Sequence, residues 1–182
     1  MGMTTRQMLG EIGREAWLEK SASVLSASSN VFLSHSSKDD ADVLAGAVKV
    51  LRTEGGIVYA DVLDPEAKRL SPGAFGAFFR EAIADCGRLV VLLSKATTTS
   101  KWVPWELGLA DGEFGLKHVA IWPIVESSVE DPYWAKQEYL NIYSRVEWVT
   151  LYGELQPCWA VSVPGESTYW RLSHWLALPR NR

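Results

Sequence analysis

Hydrophobic positions along the chain fall into two patterns, short apolar runs and longer segments with helical spacing. Apolar runs of this length, bounded by polar or glycine-containing segments, are typical of buried strands. They predict five strands, at residues 30–34, 57–61, 89–93, 118–125 and 146–152. Helical spacing predicts helices at about residues 6–20, 38–53, 71–85, 100–116, 131–142 and 167–178. Residues 153–164 show neither pattern and are predicted to be irregular.

Strands that alternate with helices predict an α/β fold with a parallel sheet covered by helices on both faces. We expect a flavodoxin-like sheet of five parallel strands in the order 2-1-3-4-5. In that order the ligand crevice opens at the carboxyl ends of the first and third strands. Those strands end at Ser34 and Ser94, so we expect a site between the loops that follow them.

The loop after the first strand carries polar side chains that suit a ligand. His35, Ser36 and Ser37 lie here, and the next helix is expected to begin at about Lys38. Backbone N–H groups at a helix start attract anions, but the acidic pair 39–40 in this first turn would repel a phosphate. Helix capping is the alternative role for Ser36 or Ser37.

The helix after the third strand carries a second candidate pair. Ser100 is expected to cap this helix, and Trp102 and Glu106, four residues apart, then share one face. The alternative is that Trp102 is a core aromatic and Glu106 a solvated carboxylate. The helix also has two apolar stripes, which predicts burial on both sides or a contact with a partner. The stripe expected to face the core is Val103, Leu107, Ala110 and Phe114, and the second is Trp105, Leu109, Gly112 and Leu116.

Composition narrows the class of protein. The 182 residues are 47% hydrophobic with a net charge of −4, which argues against nucleic acid or an anionic membrane as the main partner. The longest aliphatic run, 89–93, is too short to span a bilayer, and residues 1–20 carry charges where a signal peptide needs an apolar core. Cys86 and Cys158 have neither metal nor redox spacing. We therefore expect a cytoplasmic protein without a metal or a bound cofactor.

The chain divides into three parts by pattern. We assign residues 1–29 to an N-terminal helix and linker, 30–152 to the central domain, and 153–182 to a tryptophan-rich C-terminal extension. The tryptophans of this extension predict that it packs on the domain. The N-terminal helix is expected to dock on its own domain, or alternatively to be offered to a partner or a second copy.

Three motifs, in order, resemble those of Toll/interleukin-1 receptor (TIR) domains. Residues 31–39 resemble the first box of that family, and Ser71-Pro72-Gly73, after the loop that begins at Val62, resembles its second box and BB loop. Trp102 and Glu106 match the Trp-x-x-x-Glu pattern of enzymatic TIR domains. The similarity covers about residues 30–150, but Leu63-Asp64 stands where animal receptor TIR domains commonly have Arg-Asp. The chain looks like the stand-alone bacterial TIR proteins of antiphage defence, such as those of Thoeris-type systems.

The resemblance implies an enzyme that cleaves the nicotinamide–ribose bond of NAD+, with NAD+ as substrate and no cofactor. It implies that Glu106 is catalytic and that Trp102 stacks on nicotinamide or adenine. The other substrate-binding positions it implies are Ser34, His35, Ser36, Asp61, Ser71 and Phe75. The product would be ADP-ribose or a cyclic ADP-ribose isomer. TIR–TIR self-association and a separate effector that responds to the product are the implied partners.

Two other functions stay open at this point. The first is a non-catalytic TIR scaffold that self-associates through the stripe of Trp105, Leu109 and Leu116. The second is a flavodoxin-like or nucleoside-transferase-like domain that binds another nucleotide. Glu106 favours the enzyme, since a scaffold does not need this carboxylate.

Overall fold

A computed structural model describes residues 4–16, 30–60, 69–127, 136–167 and 169–179. These residues form one sheet of eight strands. The strands are β1 (Thr4–Thr5), β2 (Val31–Ser34), β3 (Val58–Tyr59), β4 (Leu89–Leu93), β5 (Val119–Val125), β6 (Ser144–Val149), β7 (Cys158–Ser162) and β8 (Tyr169–Arg171). The α-helices are α1 (Arg6–Ala16), α2 (Ala41–Thr53), α3 (Pro72–Cys86), α4 (Trp102–Phe114) and α5 (Leu172–Leu176).

The centre of the sheet has the predicted topology. Strands β2 to β6 are the five that the sequence predicts, and they lie in the order β3-β2-β4-β5-β6 with every pair parallel. This is the expected 2-1-3-4-5 order, so the α/β fold class is confirmed. The switch in strand order lies between β2 and β4, where Ser34 is in register with Val91.

The sheet is longer than five parallel strands, and here the sequence prediction is wrong. Residues 153–164, predicted as irregular, contain β7, which pairs antiparallel with β6. The predicted helix at 167–178 contains β8, antiparallel to β7, and only then the short helix α5. The signal in β7 is a period of two: Trp159 and Val161 point into one apolar cluster. Flanking prolines and glycines concealed this alternation, because they are typical of irregular segments.

Helices cover both faces of the sheet, as predicted. One face packs against α1, α2 and α5, with buried side chains that include Val31, Leu33, Val90, Leu92 and Trp122. The other face packs against α3 and α4, with buried side chains that include Phe32, Leu89, Val91, Leu93 and Ile121. Neighbouring residues of one strand thus enter different layers, which is why the central strands are apolar without interruption.

Both terminal segments pack on the central sheet. Helix α1 lies against α2 and buries Leu9 completely. At the other end, Trp175 is buried and its Nε1 donates to the Lys117 carbonyl at 2.8 Å, while the ring of Trp159 lies 5.0 Å from that of Trp122. The division of the chain at residues 29 and 152 stays a prediction.

Several predicted features differ in their bounds or lie outside the described residues. Helix α2 begins at Ala41, three residues later than predicted. The linker at 21–29 and most of the loop at 62–70 lie outside the described residues, as does the first half of the predicted helix 131–142. Its described remainder is a short 3₁₀ helix, Glu138–Ile142. Within the described ranges, no helix is long and apolar enough to cross a membrane.

Candidate functional site

The candidate site lies where β2 and β4 end side by side. Ser34 is the last residue of β2, and Ser94 directly follows β4. A 3₁₀ turn at 97–99 then leads into α4. As predicted, Ser100 stabilises the start of this helix: its Oγ accepts hydrogen bonds from the N–H groups of Trp102 and Val103 at 3.2 and 3.4 Å.

Glu106 is a buried carboxylate in α4. Glu106 is only 5% exposed, and its Oε2 accepts a hydrogen bond from the hydroxyl of Ser34, which is 2% exposed. The interpretation of Glu106 as a solvated carboxylate is therefore wrong. A buried carboxylate is costly unless it is hydrogen-bonded, and Ser34 supplies such a bond from the neighbouring strand end.

Trp102 lies one helical turn before Glu106 and faces solvent. It is 45% exposed, so the interpretation of this residue as a core aromatic is also wrong. Its ring and that of Phe75 of α3 meet edge to face, with 5.5 Å between the centroids and 76° between the planes. The rings of Trp105 and Phe79 also contact it, at 5.6 and 6.3 Å between centroids. An exposed aromatic ring in contact with three others thus lies one helical turn before Glu106.

Asp39 ties the loop after β2 to the loop after β4. One of its carboxylate oxygens accepts from the N–H of Ser36 at 2.8 Å, and the other from the hydroxyl of Ser94 at 2.6 Å. Ser36 is buried, and its own Oγ accepts from the N–H of Lys38 at 3.2 Å. His35, between Ser34 and Ser36, is half-buried. This loop is therefore fixed by side-chain hydrogen bonds before α2 begins.

These bonds correct two expectations about the loop. Asp39 does not occupy the first turn of α2, since the helix begins at Ala41 and the Asp39 side chain faces Ser36 and Ser94. Ser36 does not cap the helix, because its hydroxyl closes a local turn onto Lys38. Sequence reasoning missed Asp39 and Ser94 as a pair. The Ser-x-x-Asp spacing from Ser36 was the available signal, typical of a side-chain turn.

The other predicted site residues have different placements. Phe75 is half-buried on α3, and its ring contacts that of Trp102. Ser71 caps α3, where its Oγ accepts from the N–H of Ala74 at 3.4 Å, and the residue is exposed. Asp61 lies outside the described residues. The structure therefore brings Glu106 and Ser34 into contact, places Trp102 one helical turn before Glu106 with Phe75 against its ring, and gives Ser71 a capping bond.

The two apolar stripes of α4 have different surroundings. The stripe of Val103, Leu107, Ala110 and Phe114 is buried, as predicted. In the second stripe, Leu109 is half-buried against the core, whereas Trp105 is 36% exposed and Leu116, just beyond the end of α4, is 42% exposed. Within the described ranges, no three His, Cys, Asp or Glu side chains cluster in a way that could hold a metal ion.

Comparison with known proteins places this geometry in a family. A family model described as "TIR domain" matches residues 31–157, well over half of the chain. The chain is also similar to the "Probable 3' cyclic ADP-D-ribose synthase ThsB'" of Bacillus cereus (strain MSX-D12). The two are 33% identical over 151 residues, which cover 81% of this chain and 75% of that protein. The chain therefore belongs to the TIR domain family.

Proposed function

We propose that this TIR protein cleaves the nicotinamide–ribose bond of NAD+ and acts in antiphage defence. The observation that carries the proposal is Glu106, a buried carboxylate bonded to Ser34 at the crevice edge of a parallel sheet. The similarity to a protein named as a probable 3' cyclic ADP-D-ribose synthase supports the same chemistry. A role as scaffold alone gives no reason to bury a carboxylate at this edge.

The reaction needs a negative charge that is held in place. When the glycosidic bond breaks, its electron pair moves to the nicotinamide nitrogen and positive charge develops on the ribose ring. A carboxylate next to the ring stabilises this charge, and more strongly where water is excluded. The hydroxyl of Ser34 orients the Glu106 carboxylate through Oε2. Nicotinamide leaves as a neutral molecule, so the reaction does not require a general acid.

The aromatic residues are proposed to hold the bases of NAD+. Trp102 offers exposed aromatic surface to the cationic nicotinamide or to adenine, while Phe75 packs against its ring. The proposal keeps His35 and Ser36 on the ribose and phosphate side. Ser71 at the start of α3 and Asp61 stay in the proposal as further substrate contacts.

The product depends on what attacks the ribose cation. Attack by water gives ADP-ribose, whereas attack by a group of the adenosine half gives a cyclic isomer. We propose the cyclic product, because the similar protein is named for it. Such a nucleotide would act as a signal for a separate effector protein. We also propose a cytoplasmic enzyme, in line with the free cysteines Cys86 and Cys158.

The test is to incubate purified protein at high concentration with NAD+ and to separate the products by chromatography and mass. The proposal predicts nicotinamide together with a compound lighter than ADP-ribose by one water. ADP-ribose as the only nucleotide product would refute the proposed cyclisation but would agree with the proposed cleavage of NAD+. NAD+ that stays intact, also with lysate of infected cells present, would refute the enzyme. A yellow protein would point to a bound flavin.

A contact between copies is the second proposal for this chain. Trp105 on α4 and Leu116, two residues beyond the end of α4, leave apolar surface exposed next to the helix that carries Glu106. We propose that copies associate through this stripe and that activity depends on it. Activity per molecule should then rise with protein concentration, and Trp105→Ala should weaken this rise. A flat dependence over a wide concentration range would contradict the proposal.

A further inference from the structure

The N-terminal segment reaches the edge of the sheet that carries the candidate site. Thr4 and Thr5 pair in parallel with Ile124 and Val125, the last two residues of β5. The indole of Trp122, also on β5, stabilises this pairing, because its Nε1 donates to the hydroxyl of Thr4 at 3.1 Å. The residue that follows, Arg6, therefore starts α1 just beyond the carboxyl ends of the strands.

Arg6 bridges two segments at this edge. Its Nε donates to Glu126, directly after β5, at 2.9 Å, and its Nη1 donates to Asp40 at 2.6 Å. The Arg6 side chain is 25% exposed, much less than its two partners. Asp40 precedes α2, but its side chain makes no capping bond to that helix. A guanidinium can hold two carboxylates in fixed directions, which a single ammonium cannot do.

From Asp40, covalent and hydrogen bonds lead step by step to Glu106. Asp40 follows Asp39, whose carboxylate holds the N–H of Ser36 and the hydroxyl of Ser94. Ser36 is two residues from Ser34, which donates to Glu106. The strand end that presents Ser34 is thus paired with β4, and Arg6 holds the loop that follows it at Asp40.

We propose that Arg6 is a positioning residue: its bridge to Asp40 and Glu126 holds the loop at 35–40 so that Ser34 meets Glu106. The expected effect on catalysis rests on the proposed function. The expected effect on the loop at 35–40 rests on the contacts alone. The N-terminal segment would then align the candidate site.

The chain offers a matched control for Arg6. Arg14 lies two turns later on the same helix and pairs with Asp42 at 3.9 Å, with side chains 60% and 43% exposed. Both arginines connect α1 to the start of α2, but only Arg6 reaches the residue next to Asp39. A general loosening of α1 would affect both variants, whereas loss of alignment affects Arg6→Ala alone.

We expect Arg6→Ala to lower kcat for NAD+ cleavage about tenfold, because a small misplacement of a catalytic group is costly, with a smaller change in KM. Arg6→Lys, which restores one of the two contacts, should give an intermediate kcat. Arg14→Ala should match the wild type. Equal losses in Arg6→Ala and Arg14→Ala, or an unchanged Arg6→Ala enzyme, would overturn the inference.

A second measurement keeps this test separate from that of the proposed function. Amide hydrogen exchange in the segment 35–40 reports on the Ser36 and Lys38 N–H groups, both of which are hydrogen-bonded. Exchange there should be faster in Arg6→Ala than in Arg14→Ala, whether or not the protein cleaves NAD+. If Arg6→Ala fails to fold, Asp40→Asn removes the same ion pair and leaves α1 intact. Equal exchange rates in all variants would refute the positioning role.

Discussion

Replacing Gly13 by alanine should push α1 away from α2 and destabilise the protein. A Cβ atom at Gly13 would lie 1.8 Å from the carbonyl oxygen of Asp42 and 2.9 Å from the backbone nitrogen of Gly46. Both are backbone atoms of α2, so no side-chain rotation can relieve the contact. Restoring an ordinary 3.4 Å separation requires α1 to move by roughly 1.5 Å.

The same helix supplies the control. At Gly10 the nearest atom to an added Cβ is 3.6 Å away, at the end of the Arg14 side chain. Alanine within a helix is favoured over glycine by roughly 1 kcal/mol, and both variants gain this contribution to stability. Only Gly13→Ala also incurs the cost of overpacking, about 1–3 kcal/mol. It should therefore be less stable than Gly10→Ala by about that amount.

Urea unfolding, followed by tryptophan fluorescence, measures the difference between the two variants. Gly46→Ala, whose Cβ would lie 2.0 Å from the Leu9 carbonyl oxygen, should lose stability by a similar amount. Because both substitutions push apart the same interface, their effects in the double variant should be less than additive. A Gly13→Ala protein as stable as Gly10→Ala would refute the close packing of α1 on α2.

Two further predictions concern the candidate site. Ser34→Ala removes the hydrogen bond to Glu106 and should lower kcat for NAD+ cleavage about 10- to 100-fold, since a hydrogen bond to a charged group contributes about 1.5–3 kcal/mol. Ser144→Ala is its control, an equally buried serine on β6, three strands away from β2, and equal losses in the two would contradict the role of Ser34. Trp102→Leu should raise KM for NAD+ about tenfold, because it removes the stacking surface, whereas Trp102→Phe should stay near the wild type. If the phenylalanine and leucine variants have the same KM, Trp102 does not stack on the substrate.

The parts of the fold that depend on local pattern could be predicted. The uninterrupted apolar run Leu89–Leu93 forms β4 with the predicted bounds. Ser71 caps α3, and Gly87 ends it with a left-handed backbone at φ 69°, a conformation that glycine adopts readily. The order of the five central strands follows from the alternation of strands and helices, because parallel crossovers permit few arrangements.

Features that depend on distant partners could not be read from the pattern. Glu106 lies between the two apolar stripes of its helix, and its burial depends on Ser34, 72 residues earlier. Arg6 lies 34 residues from Asp40 and 120 from Glu126, so no local spacing reveals the bridge. Strand β1, with only two residues, is too short for any periodicity.

The most direct test of the account compares two glutamates on one helix. Glu106→Gln and Glu113→Gln make the same chemical change, but Glu106 is buried beside Ser34 and Glu113 is exposed in the last turn of α4. Release of nicotinamide from NAD+ should fall about a hundredfold or more in Glu106→Gln and stay at the wild-type rate in Glu113→Gln, with both proteins equally stable. Wild-type nicotinamide release by Glu106→Gln would contradict the central claim that this carboxylate cleaves the bond.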